Sequence, residues 1–94
     1  MSMSQQAAEV VGLKALTWLA GHEDLLPVFL GATGASEGDF RQRIDDPEFL
    51  GSVLDFILMD DAWVQEFCEA AALPNETPYM ARVTLPGGAE VNWT

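Results

Sequence analysis

A chain of 94 residues with fifteen acids against four bases, a net charge of −11 and a 49% hydrophobic content reads as one folded domain, near the small end for a self-sufficient core. That composition excludes a disordered chain, and no apolar run approaches the roughly 18 residues a membrane span requires. The charge disfavours nucleic-acid phosphates and anionic lipid headgroups, which it repels over about a Debye length, ~8 Å at physiological salt.

Residues 5–20 read as a helix, with Ser4 as N-cap and Gly21 just past its end. Its polar positions are few (Glu9, Lys14, Thr17), so a central helix covered over most of its circumference is expected. Gly12 inside it costs about 1 kcal/mol relative to Ala, which close approach of a neighbouring helix would explain. "HEDLLPVFLGATG" follows as a second helix. It has acids at its start, Pro27 in the first turn, Leu26, Phe29 and Leu30 on one face, and Gly34 at its end. "SEGD" has the spacing of a capping box and opens a short helix carrying Phe40 and Ile44. "DDPEF" places Asp46 as N-cap and Pro47 at the first position of a helix that runs to about Met59. Asp60 caps the next, which ends near residues 73–74. "NETPYMARVTL" reads as a final helix stopped by "PGG"; the alternative over 79–93 is a hairpin, since "RVTL-PGGA-EVNW" alternates.

Between Arg43 and Arg82 lie nine acids and no Lys or Arg. Several fall in "VLDFILMDDAWVQEFCEA", which resembles a chemical cluster only when read linearly. Glu48, Gly51, Ser52, Asp55 and Met59 form one solvated stripe. Phe49, Val53, Phe56 and Ile57 form another beside Leu50, Leu54 and Leu58. Asp60 and Asp61 sit where a helix start favours negative charge. Glu66 and Glu69 lie opposite the Val64, Phe67, Cys68, Ala71 stripe. Each acid has a structural or solvent-facing role, so no catalytic site, metal or cofactor is expected.

His22 falls where an N-cap belongs, and one His with one Cys makes a zinc site improbable. The spaced acids of an EF-hand and the lysine of a phosphate-binding loop are missing. Cys68 reads as a small buried hydrophobe, and Trp18 and Trp63 as core. Trp93 reads as a terminal anchor or part of an oligomer contact. "MSMSQQAAEV" lacks the basic region of a signal peptide, so a cytoplasmic location is expected.

A shift of 38 residues lays "LTWLAGHEDLLPVFLGA" over "LDFILMDDAWVQEFCEA": Leu16 meets Leu54, Trp18 meets Phe56, Phe29 meets Phe67. With one inserted residue, Phe40 meets Tyr79 and Arg43 meets Arg82. The fold class expected is therefore all-α: a compact bundle of five to six short helices in one domain over 1–94. It is read as a duplicated helix-turn-helix-loop-helix unit with approximate internal twofold symmetry. The halves span about 13–44 and 51–83, with a tail at 87–94.

The order "ALTWLA…EDLLPVFLGATG…FRQRIDDPEFLGSVLDFILMDDAWVQEFC" continues through "ARVTLPGG" to Trp93. It resembles a bacterial family of short proteins, domain-of-unknown-function family 3572, from about Val11 onward. The resemblance implies an all-helical bacterial cytoplasmic protein and carries over no activity, cofactor or functional residue. From the residues themselves, a non-catalytic protein–protein interaction or adaptor module is expected, monomeric or homodimeric. A basic protein partner would be bound through Glu48, Asp55, Glu66 or Glu69, without nucleic acid or membrane. The alternatives are a small-ligand binder or enzyme with a cleft between the repeats, and an acidic nucleic-acid mimic that inhibits a basic partner.

Overall fold

The structure, a computed structural model, describes residues 3–86. These form six helices, with no strand among the described residues: α1 (Gln5–Ala20), α2 (Leu25–Thr33), α3 (Glu37–Gln42), α4 (Pro47–Leu58), α5 (Asp61–Ala71) and α6 (Thr77–Thr84). Of the two readings for the last segment, the helix holds through Thr84; Trp93 and the remainder of the hairpin alternative lie outside the described residues.

Local side chains set most of the helix starts. Ser4 Oγ accepts from Ala7 N at 3.0 Å, Asp46 from Glu48 N at 3.0 Å and Asp60 from Ala62 N at 2.8 Å. At α3 both halves of the capping box form: Ser36 Oγ accepts from Asp39 N, and Asp39 Oδ2 accepts from Ser36 N. Such an acceptor satisfies a donor the first helical turn leaves open, worth typically about 1 kcal/mol. Asp60→Ala is accordingly expected to destabilise the protein by about 1 kcal/mol, while Asp60→Ser should lose only a fraction of that; urea denaturation of the two variants checks the order. The Arg43 side chain, donating to Asp46 at 3.0 and 3.2 Å, holds that carboxyl below its ordinary range. A lowered folded-state value means the Asp46 contact is present at neutral pH and is lost only as pH falls through that lowered value.

Two helix ends depart from the sequence reading. Ile44 lies beyond α3, which stops at Gln42, and it is exposed instead of carried into the core. α5 stops at Ala71, because Ala72 takes the left-handed conformation (φ 59°) and Leu73 N closes back on the Cys68 carbonyl at 2.9 Å. Gly34 makes the corresponding turn after α2 with φ 76°. At Gly21 no such turn occurs, since its φ is −92°.

One apolar cluster draws on all six helices. α1, α4 and α6 pack on one another, α5 rests against all three, and α2 leans on α1. Gly12 allows the α1–α4 approach: a Cβ there would sit 2.8 Å from Leu50 Cβ. The aromatic core has two parts. Phe29 stands edge-on to Phe40, Phe49 and Phe56, and Phe56 stacks on Trp63. Phe67 instead meets Trp18, at a centroid distance of 5.8 Å. Both Phe29 and Phe67 are fully buried, but among different rings.

Candidate functional site

The four acids read as a binding face are divided between two helices and engaged differently. Glu48 and Asp55 are exposed on α4, about two turns apart. Asp55 Oδ1 accepts from Arg82 Nε at 2.6 Å, and Arg82 Nη1 donates to the Pro86 carbonyl at 3.2 Å. This posture lays the guanidinium over Gly51, where a Cβ would come within 2.7 Å of Nη1. Gly51, expected on the solvated stripe, is therefore buried: its missing side chain is the seat of Arg82. Asp55 is not a free charge awaiting a partner.

On α5, Glu66 and Glu69 are exposed. Glu66 Oε1 lies 3.4 Å from His22 Nε2. His22 also caps, since its Nδ1 accepts from Leu25 N at 3.2 Å and its carbonyl from Leu26 N at 3.0 Å. With Nδ1 occupied as an acceptor, the neutral ring carries its proton on Nε2 and donates it to Glu66. The pair therefore ties the loop after α1 to α5, as Asp55 ties α4 to α6.

α1 is central, as read, but it is not covered over most of its circumference. Its core face holds Ala8, Val11, Ala15, Leu16 and Leu19. The opposite face leaves Val10 50% and Leu13 41% exposed. The reason is the number of neighbours: α4 and α6 occupy the inner side, and α5 reaches only one flank. Along that flank runs an open groove of about 480 Å³, with Leu13, Lys14, Thr17 and Trp18 of α1 on one wall and Phe67, Ala70 and Ala71 of α5 on the other. Trp18 is fixed as part of that wall by the His22 ring, edge-on at 5.0 Å, and by Phe67. Glu66 stands one turn before Ala70 on the same side of α5, which places it beside the outer edge of the groove, whereas Glu69 is turned farther from that wall. The sequence reading puts Trp18 in the core and has a cleft between the two halves only as an alternative, without naming the residues that line this groove. The available signal was a first helix apolar on more sides than a six-helix bundle of this length can cover.

Among the described residues, no three His, Cys, Asp or Glu side chains stand together as metal ligands. Cys68 is buried, and its thiol approaches the Pro74 carbonyl at 3.4 Å. Burial pushes this thiol above its ordinary range, and the Glu76 charge adds to the effect. Because the thiolate is the reactive form, Cys68 is expected to react with a disulfide reagent at neutral pH far more slowly than after denaturation in urea. Equal rates would contradict the burial.

The sequence profile described as "Protein of unknown function (DUF3572)" matches residues 5–88. The chain belongs to the DUF3572 family. The matched span holds all six helices and both walls of the groove, so in this DUF3572 chain the groove is formed wholly by family sequence. No curated protein and no solved structure matches the chain.

Proposed function

We propose that this DUF3572 protein is a small acidic, non-catalytic interaction module of the bacterial cytoplasm, working as a monomer or homodimer on a basic protein partner. The observation that carries this reading is the open apolar groove between α1 and α5, set in a strongly acidic chain. Apolar surface exposed within a polar surround is what partner-binding sites retain. The groove's openness favours a macromolecule over a small molecule, which a pocket must largely enclose. The acids supply steering, and a contact steered by charge weakens as salt rises.

The test is a pull-down from native cytosol with wild type and with a variant carrying Glu48→Lys, Glu66→Lys and Glu69→Lys. Asp55 is left intact because it holds Arg82. A reproducible partner that wild type loses at high salt, and that the variant loses at low salt, is the expected result. The same proteins returning from both baits at both salt concentrations would remove the reading.

We also read the chain as a duplicated unit with approximate twofold symmetry. The reading is supported by the order of the helices, α1, α2 and α3 corresponding in sequence to α4, α5 and α6. At one matched position of the third pair the two differ: Phe40 is buried, and Tyr79 is 62% exposed.

A further inference from the structure

Resting on the interaction-module reading, we propose that the α1–α5 groove receives an amphipathic helix of a protein partner, with an apolar stripe on one side and Lys or Arg beside it. The shape comes first. Val10, Leu13 and Thr17 follow one another at helical spacing along the outer face of α1, about 10 Å from end to end at 1.5 Å per residue. That length matches two turns of a docked helix presenting anchors at i, i+3, i+4 and i+7. Ala70, exposed on the opposite wall, is small enough to let a helix backbone approach closely, and Trp18 gives the anchors a rigid aromatic surface.

Charge decides among occupants. The α5 edge of the groove carries Glu66, and the chain as a whole carries −11. A second copy would bring its own Glu66 toward this one and would meet repulsion from an equal net charge. An acidic helix meets the same obstacle. A helix with cations beside its apolar stripe places them against Glu66 and gains both contact and steering by the chain's net negative charge. Lys14 is the one cation among the groove's lining residues, and it gives the site polarity. The C-terminal end of a bound helix, carrying partial negative charge, is best placed over Lys14, with the partner's cations toward Glu66.

The experiment uses the full chain and three synthetic peptides of equal length. The first has leucines on one helical face and lysines on the other. The second keeps the leucine face and replaces lysine with glutamate. The third has the first peptide's composition in an order that destroys the stripe. Binding is followed by amide chemical shifts and by calorimetry. The expected result is that only the first peptide binds well, the other two at least about tenfold more weakly, with shifts concentrated in residues 10–18 and 66–71. Ala70→Trp, which fills the groove from an exposed position, should weaken the first peptide by at least about tenfold without lowering the melting temperature. Leu13→Lys should also weaken it, and Val28→Lys, at an exposed apolar position on α2, should not.

Equal binding of the lysine and glutamate peptides, or undiminished binding to Ala70→Trp, overturns the proposal. A concentration-dependent dimer whose formation Ala70→Trp abolishes would also overturn it, because a second copy would then be the occupant. If the groove takes no peptide while the cytosolic partner still depends on salt and on the acids, the module reading stands and the groove is not its site.

Discussion

Replacing Phe29 with Ala is expected to lower the stability of the protein by about 3–5 kcal/mol, a large share of the about 5–15 kcal/mol that holds a domain folded. The ring is fully buried and lies edge-on to Phe56 at 5.3 Å, Phe40 at 5.5 Å and Phe49 at 6.2 Å. Those three rings come from α3 and α4, so Phe29 joins α2 to two other elements at once. Truncation removes the transfer energy of the ring, leaves a cavity and breaks three edge-to-face pairs, each worth about 0.5–1.5 kcal/mol beyond burial. Phe29→Leu should cost less, because it keeps apolar volume while losing the ring geometry. Chemical denaturation followed by far-UV circular dichroism gives both values. A loss below about 1 kcal/mol for the alanine variant would contradict the cavity cost expected of a fully buried ring.

Gly12→Ala and Gly31→Ala are expected to act in opposite directions, although both add a methyl group inside a helix. At Gly31 nothing lies within 4 Å of the new Cβ, so the variant should gain up to about 1 kcal/mol from helix propensity. At Gly12 the new Cβ would stand 2.8 Å from Leu50 Cβ. Both atoms are fixed directly to helix backbones, so no rotamer change relieves the contact, and α1 and α4 must separate. Overpacking of this kind costs about 1–3 kcal/mol, which exceeds the propensity gain. Thermal denaturation of the pair settles the sign. A Gly12→Ala protein as stable as Gly31→Ala would mean that α1 and α4 are not in close contact.

Features governed by nearest neighbours were legible in the sequence. Ser4, Asp46, Asp60 and the Ser36–Asp39 box cap the helices they were expected to cap, because a cap requires only an acceptor within three residues of an open N–H. The apolar stripe of α4 was also readable, since helical spacing alone brings Phe49, Val53, Phe56 and Ile57 to one side. What failed depended on residues distant in sequence. Gly51 is buried by Arg82, which stands on another helix, and no periodicity within α4 could show that. The end of α5 was placed too late because an alanine, not a glycine, makes the left-handed turn. The lining of the groove was not readable because α1 is apolar on several faces, and its sequence does not state which faces find a neighbour. Of the acids, sequence correctly placed Glu48, Asp55, Glu66 and Glu69 at the surface, but could not reveal that Asp55 and Glu66 hold Arg82 and His22.

The packing of α6 against α1 and α4 has a consequence for the order in which the protein can be made. α1 is the first described helix to leave the ribosome, and α6 is the last. Until α6 emerges, a main covering of α1 is missing, and so are Ala81 and Leu85, both buried in the finished molecule. The aromatic cluster of α2, α3 and α4 can assemble earlier, from segments close together in the chain. Closure then waits on a contact between helices far apart in sequence, the kind of pairing that slows folding relative to local contacts. A nascent chain therefore carries α1 incompletely sheltered until α6 has emerged, and the partly assembled form is the one most open to capture by chaperones or to aggregation.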